Sequence, residues 1–343
     1  MSLDPLLEEL IQTTNELINY GECKKAIELL ENNLDLYEDQ YPIFINLGKA
    51  YLKLEDIQSS IQYLNRALEI LPENLETLEL MGSAYFEAKN WDQALASWKK
   101  ITEINEKEYS AWKNIGKLYY RIGEYFQATQ SFGKYLEYKE DIEVYSLLAT
   151  IYKKMGNDIE CWNQLMKAEK LEPDNEKILI QIGDTYLDLE NYEKAIEHFQ
   201  LAIRVNSESK PALFQLGLAF EKKRDFIQSL EVFSKLIEIE PDNVLAYFHL
   251  ANISASLANI EEAVINYEKC LEKDPSFEEA SLSLASLYWA SKNYDKAIMH
   301  LEDALKFNDK NSKTYQLLGD VYEDAGNIEK AKANWEIAKI LEV

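Results

Sequence analysis

EKILIQIGDTYLDLENYEKAIEHFQLAIRVNSES, Glu176–Ser209, carries two short apolar patterns of helical period. Leu179, Ile182, Gly183 and Tyr186 share one face of the first; Ala195, Phe199 and Ala202 share one face of the second. Leu189-Glu190-Asn191-Tyr192 between them is too short a break for anything but a tight helix–helix turn. A single such hairpin leaves its apolar face in water, so it requires copies of itself on either side.

The copies are present. Small residues recur at Gly48, Gly82, Gly116, Ala149, Gly183, Gly217, Ala251, Ala285 and Gly319, at steps of 34 with a single step of 33. Three residues after each stands Tyr51, Tyr85, Tyr119, Tyr152, Tyr186, Phe220, Ser254, Tyr288 or Tyr322. The second pattern has its own small marker: Ala26, Ser60, Ala94, Ala128, Cys161, Ala195, Ser229, Ala263, Ala297 and Ala331. EPDN occurs twice, at Glu172–Asn175 and Glu240–Asn243. Registers locked at one period predict an all-α chain of about ten helix–turn–helix units, starting near Leu7, Tyr41, Leu75, Tyr109, Ile142, Glu176, Lys210, Val244, Glu278 and Ser312. Residues 1–343 read as one domain, because stacked repeats grow without a central core. The short step places a one-residue deletion in the Glu140–Ile142 loop. Six of the 11 glycines take the small-residue position; Gly21, Gly123, Gly156 and Gly326 take the turn, and Gly133 is left over. Pro72, Pro173, Pro241 and Pro275 punctuate unit ends, while Pro42 and Pro211 sit at helix starts.

This pattern resembles the tetratricopeptide repeat family, whose unit is 34 residues of helix–turn–helix. Trp112, Ile115, Gly116, Tyr119, Ala128 and Phe132 match the family pattern at unit positions 4, 7, 8, 11, 20 and 24. Tyr135 and Glu140 depart from its Ala and Pro, whereas Ala263, Tyr267 and Pro275 carry the second half in another copy. The resemblance covers essentially the whole chain. It implies a right-handed superhelical solenoid, and a non-enzymatic scaffold that binds a peptide or protein segment in its concave groove. Two alternatives stand beside it: a self-assembling structural protein, and a regulatory or substrate-recruiting arm of a separate enzyme.

Composition narrows the classes. A net charge of −25 repels nucleic acid and anionic membranes. No apolar run is long enough to span a bilayer, and MSLDPLLEEL lacks the basic-then-apolar order of a secretory signal, so a cytoplasmic location is expected. Three cysteines without a CxxC pair are a poor disulfide framework; Cys161 and Cys270 stand where sibling units carry Ala or Ser and read as small core residues. His198, His249 and His300 lie in different units, which leaves a zinc site short of ligands. No glycine-rich phosphate loop follows a strand pattern. Neither a cofactor nor catalysis is expected.

The resemblance implies that unit positions 2, 5, 9, 12 and 13 of each first helix face the groove. The helical period agrees, since positions 5, 9 and 12 lie about 100° from the packed positions 4, 8 and 11. Read this way, the early and middle units are basic: Lys49, Lys53, Lys113, Lys117, Arg121, Lys153 and Lys154, with Asn46 and Asn114 at the neighbouring position 6. Either these residues receive an acidic peptide or a C-terminal carboxylate, or they offset nearby acids such as Glu79 and Glu87. The family's carboxylate clamp is not reproduced: Lys117 stands at position 9 of the fourth unit and Leu147 at position 6 of the fifth. The later units are apolar at the same positions, with Ile180 and Leu187, Phe214 and Leu218, Leu245 and Phe248, and Leu282 and Trp289. They anchor a partner if exposed, or pack against the next unit if the winding is tight.

Solenoid ends need polar caps. Leu3, Leu6, Leu7, Leu10 and Ile11 open a first unit without Gly and Tyr at positions 8 and 11, which reads as a degenerate cap. Ile337, Ile340 and Leu341 close the last unit and suggest end-to-end self-association.

Overall fold

The computed structural model describes residues 4–37 and 39–341. Its helices pair in sequence order as ten hairpins. They are α1 (Pro5–Asn19) with α2 (Cys23–Glu31), α3 (Tyr41–Lys53) with α4 (Ile57–Ile70), α5 (Leu75–Glu87) with α6 (Trp91–Ile104), α7 (Tyr109–Arg121) with α8 (Tyr125–Leu136), and α9 (Ile142–Lys154) with α10 (Asp158–Leu171). Hairpins 6 to 10 are α11 (Glu176–Asp188) with α12 (Tyr192–Val205), α13 (Lys210–Lys222) with α14 (Phe226–Ile239), α15 (Val244–Ser256) with α16 (Ile260–Lys273), α17 (Glu278–Ala290) with α18 (Tyr294–Phe307), and α19 (Ser312–Asp324) with α20 (Ile328–Leu341). A 3-10 turn at Leu34–Leu36 follows α2, and no strand occurs among the described residues.

Every expected unit start but the first is also the first residue of a helix. The exception begins at Pro5 rather than Leu7. Asp4 there accepts the Leu6 N–H at 3.2 Å, and Pro5 occupies a position whose N–H has no helical partner. Leu3 lies outside the described residues. The deletion falls between α8 and α9: α8 has 12 residues where most second helices have 14, and residues 137–141 link it to α9.

The duplicated EPDN is a helix-capping device. Asn175 and Asn243 cap α11 and α15 by accepting the N–H groups of Ile178 and Ala246 at 3.3 and 2.9 Å. Each donates its amide to the Glu that opens the tetrapeptide, Glu172 at 2.8 Å and Glu240 at 2.6 Å.

The hairpin turns share one backbone solution. Gly21, Gly123, Gly156 and Gly326 have φ between +72° and +83°, and Glu55, Lys89, Glu190, Arg224, Ala258 and Lys292 occupy the same unit position with φ between +56° and +64°. The left-handed conformation ends the first helix and lets the second start two residues later.

Across each hairpin the small residue at position 8 faces the large one at position 24. A Cβ on Gly116 would sit 2.6 Å from the Phe132 ring, and one on Gly217 would sit 2.7 Å from Phe233. Hairpins 5 and 9, with Ala149 and Ala285 at position 8, carry the narrower Leu165 and Leu301 opposite. Where position 20 is Ser, its hydroxyl is not left unpaired: Ser60 and Ser229 donate to the carbonyls of Gly48 and Gly217 at 2.8 Å. Hairpin 1 has Thr14 at position 8, fully buried, with its hydroxyl donating back to the Leu10 carbonyl at 2.8 Å.

The chain divides into two compact units, residues 1–168 and 169–343. Within the first, α1, α3 and α5 lie side by side; within the second, α11 and α13 do.

The left-handed turn yields a stability prediction. A side chain at positive φ costs roughly 1 kcal/mol, partly offset by the greater unfolded-state freedom of Gly. Arg224→Gly and Lys292→Gly should each stabilise the chain by about 0.5 kcal/mol, read as a higher urea midpoint at unchanged slope. A lower midpoint would contradict this role of the turn.

Candidate interaction surface

The basic positions divide by what meets them. Lys113 reaches Asp141 and Glu143 of the next hairpin at 2.7 Å each, and Lys117 reaches Glu143 at 2.7 Å. Tyr135 also donates to Asp141, at 2.7 Å. Lys49 pairs with Glu76, and Lys53 donates to the Ile18 carbonyl at the end of α1 at 2.8 Å. These four cations are engaged by the chain's own acceptors.

Arg121 and Lys154 are held differently. The Arg121 guanidinium lies 5.4 Å from the ring centre of Phe86 and 5.8 Å from that of Trp91, both in hairpin 3. Lys154 lies 5.8 Å from the Tyr125 ring of hairpin 4. In both cases a position-13 cation rests on the aromatic at position 17 of the preceding hairpin. Neither forms an ion pair with a carboxylate among the described residues. Lys153 is exposed at the end of α9.

The two asparagines do not lie on an open face. Asn46 is only 2 % exposed, and its amide donates to Thr14 at 2.9 Å and to the Ile11 carbonyl at 3.2 Å. Position 6 in hairpin 2 faces α1, so the expectation that Asn46 lines a groove is corrected: it satisfies the Thr that stands where Gly is usual. Asn114 is half-buried and donates to Glu79.

The apolar positions of the second unit are half-buried, Leu245 excepted. Phe214 meets Phe233 of its own hairpin at 5.7 Å and His249 of the next at 5.6 Å, both edge-on. Phe248 meets Phe277 at 5.1 Å. Leu218 and Trp289 pack on the same core, and the Trp289 indole donates to Asp324 at 2.8 Å. These side chains close seams between consecutive hairpins and leave only their edges to solvent.

Over residues 41–74, 176–209, 211–243, 244–277, 278–311 and 312–334, more than half of the chain, the sequence matches the tetratricopeptide repeat; a second description of that repeat matches 76–105. The chain belongs to the tetratricopeptide repeat family. No curated protein matches it. Among solved structures, the C-terminal part of a TPR repeat-containing protein from Cytophaga hutchinsonii is 19% identical and covers 69% of this chain and 98% of its own, with a TM-score of 0.60. A tetratricopeptide repeat protein from Parabacteroides merdae is 18% identical and covers 72% of this chain and 98% of its own, with a TM-score of 0.54. At such identities the likeness shows the fold alone.

Tetratricopeptide repeats are generally interaction modules that bind proteins or peptides. Among the described residues no cluster of His, Cys, Asp and Glu has the form of a metal site, and no helix is long and apolar enough to cross a membrane. Cys23, Cys161 and Cys270 are all buried thiols, and burial pushes that of Cys270 up to about 12. Cys23, at the first position of α2, packs in the core of hairpin 1.

Charge pairing makes the junction of hairpins 4 and 5 sensitive to acid. Burial works against the Asp141 carboxylate, but donors from Lys113 and Tyr135 outweigh it and hold its pKa low. Hydrogen bonds from Lys113 and Lys117 hold Glu143 low as well. A depressed carboxylate stabilises the fold above its unfolded pKa, and that contribution is lost as pH falls through the folded value, here below about pH 4. Lys113→Ala should therefore cost about 1 kcal/mol at pH 7 and progressively less below pH 4, measured by urea unfolding across pH. A cost independent of pH would contradict the assignment.

Glu79 shows the opposite sign. Burial raises its pKa, and one carboxylate oxygen is buried without a partner. A raised carboxyl favours the fold at low pH and loses that advantage as pH rises through its folded value. Glu79→Gln keeps an acceptor for Asn114 and should stabilise the chain at pH 7 by about 1 kcal/mol, with no gain at pH 4. Destabilisation at pH 7 would show that the charge itself is needed.

Proposed function

We propose that this chain is a non-enzymatic scaffold that holds an acidic peptide or protein segment along the face of its first helices. The observation that carries the reading is the division among its cations. Lys49, Lys113 and Lys117 meet carboxylates of neighbouring hairpins, whereas Arg121 and Lys154 rest on aromatic rings and keep donors for an outside acceptor. In a chain of net charge −25, two such cations at the ends of consecutive first helices form a local site for an anionic segment. In the second unit, the exposed edges of Phe214, Leu218, Phe248 and Trp289 suit apolar anchors. The repeat period runs through residues 168 and 169 without a change of register, which supports reading the ten hairpins as one repeat domain. Three buried thiols fit a cytoplasmic setting.

Selection of a displayed random 16-residue peptide library on the full chain tests the proposal. Enriched sequences should be acidic, and they should bind Arg121→Glu/Lys154→Glu at least about tenfold more weakly, with helical content unchanged. Enrichment of basic sequences, or equal binding to the variant, would overturn it.

A further inference from the structure

Hairpin 9 encloses its position-11 tyrosine on three sides. The Tyr288 ring has His300 of position 23 stacked on it at 5.6 Å and 1°, Lys296 of position 19 over it at 4.8 Å, and its hydroxyl donates to Glu268 of the preceding hairpin at 3.2 Å. Sibling hairpins repeat parts of this cage. Tyr63 stacks on Tyr51 at 5.5 Å and His198 lies on Tyr186 at 5.3 Å. Lys194 and Lys330 cover Tyr186 and Tyr322, while Tyr51 and Tyr322 donate to Glu31 and Glu302.

Hairpin 4, like hairpins 3 and 5, lacks all three parts. Position 23 is Ser131, position 19 is Gln127, and the residue of hairpin 3 that corresponds to Glu268 is Lys99. What remains is a hollow of about 540 Å³ walled by Trp112, Ile115 and Tyr119, with Lys99, Gln127 and Ser131 at its side and the Lys134–Glu137 ion pair on its rim. Gly133, the one glycine that neither the helix crossing nor the turn requires, also lines it, and a Cβ there would meet nothing within 4 Å. Lys99 has no carboxylate partner among the described residues, and neither does the Tyr119 hydroxyl.

We propose that this hollow binds a flat aromatic ring bearing a carboxylate. The ring takes the place that Tyr63, His198 and His300 fill in their own hairpins, against Tyr119 and Trp112. The carboxylate meets Lys99, where hairpins 2, 9 and 10 are met by Glu31, Glu268 and Glu302, so the charge preference is reversed relative to those cages. A volume of this size accommodates one or two rings, within the range of small-molecule sites. The site lies between first and second helices and does not depend on peptide binding along the first-helix face. Such a ring arrives either as a free aromatic acid or as the C-terminal aromatic residue of a peptide.

Isothermal titration of the full chain with 4-hydroxyphenylacetate, indole-3-acetate and a hexapeptide ending in tyrosine, with free or amidated carboxyl, tests this. At least one free-carboxyl probe should bind saturably below about 10 mM, and amidation should weaken the peptide. Ser131→His rebuilds the missing stack and should reduce binding at least about tenfold. Lys99→Glu should abolish the preference for the carboxylate over 4-methylphenol. Circular dichroism reports whether each variant is folded, and Ser131→Ala leaves the hollow open and should bind as the parent does. Binding to the free acids alone, or to the peptide as well, separates the two sources. No saturable binding by any probe, or equal binding by Ser131→His, would overturn the proposal.

Discussion

The close approach of paired helices at unit position 8 is the constraint on which the remaining structure depends. With Gly at this position, an aromatic or leucine side chain from position 24 lies directly against the backbone of the first helix. That contact sets the helix separation, and the helix separation sets which positions are sealed. Position 20 must then be small, and it is Ala, Ser or Cys and buried in every hairpin. A crossing this tight tolerates little change in volume, since core packing responds to single methyl groups. Where the chain places Ala at position 8, it places Leu or Tyr rather than Phe or Trp at position 24.

Because these positions are committed to packing, function is confined to what the crossing leaves over. Lys49, Lys113 and Lys117 serve the stack, tying one hairpin to the next through carboxylates. The exceptions carry the functional reading. Arg121 and Lys154 rest on aromatic faces rather than on acids, and hairpin 4 omits a stack that hairpins 2, 6 and 9 complete. In a repeat protein each unit is a control for the others, so a departure in one unit is informative where its equivalents show what the position ordinarily does.

Much of the fold was legible in the sequence. Three registers at one period locate the helices, and the turn glycines share the left-handed position with six residues that sequence alone does not mark. The surface was less legible. Sequence alone leaves Lys113 and Lys117 between an outside ligand and nearby acids such as Glu79 and Glu87, because their actual partners, Asp141 and Glu143, lie 26 to 30 residues away, outside any helical window. The signal was available, because one period carries a carboxylate near the start of the next hairpin onto a lysine in the middle of the previous one. Asn46 was misplaced for a different reason. Its partner Thr14 occupies a position where the pattern calls for Gly, and only the structure shows the two irregularities compensating each other. Phe214 and Phe248 were set out with two outcomes, and they prove half-buried because neighbouring first helices lie close enough to share rings across the seam.

The most direct test of the crossing constraint is a double-mutant cycle on hairpin 7. Gly217→Ala and Phe233→Leu should each destabilise the chain, by about 1–3 kcal/mol, through overpacking and cavity formation respectively. Combined, they recreate the Ala–Leu pairing of hairpins 5 and 9. The double variant should therefore lose less stability than the two single variants together, by 1 kcal/mol or more of coupling. Additive losses would mean that the glycine at position 8 is not there to admit the ring, and the account of the fold would fail with it.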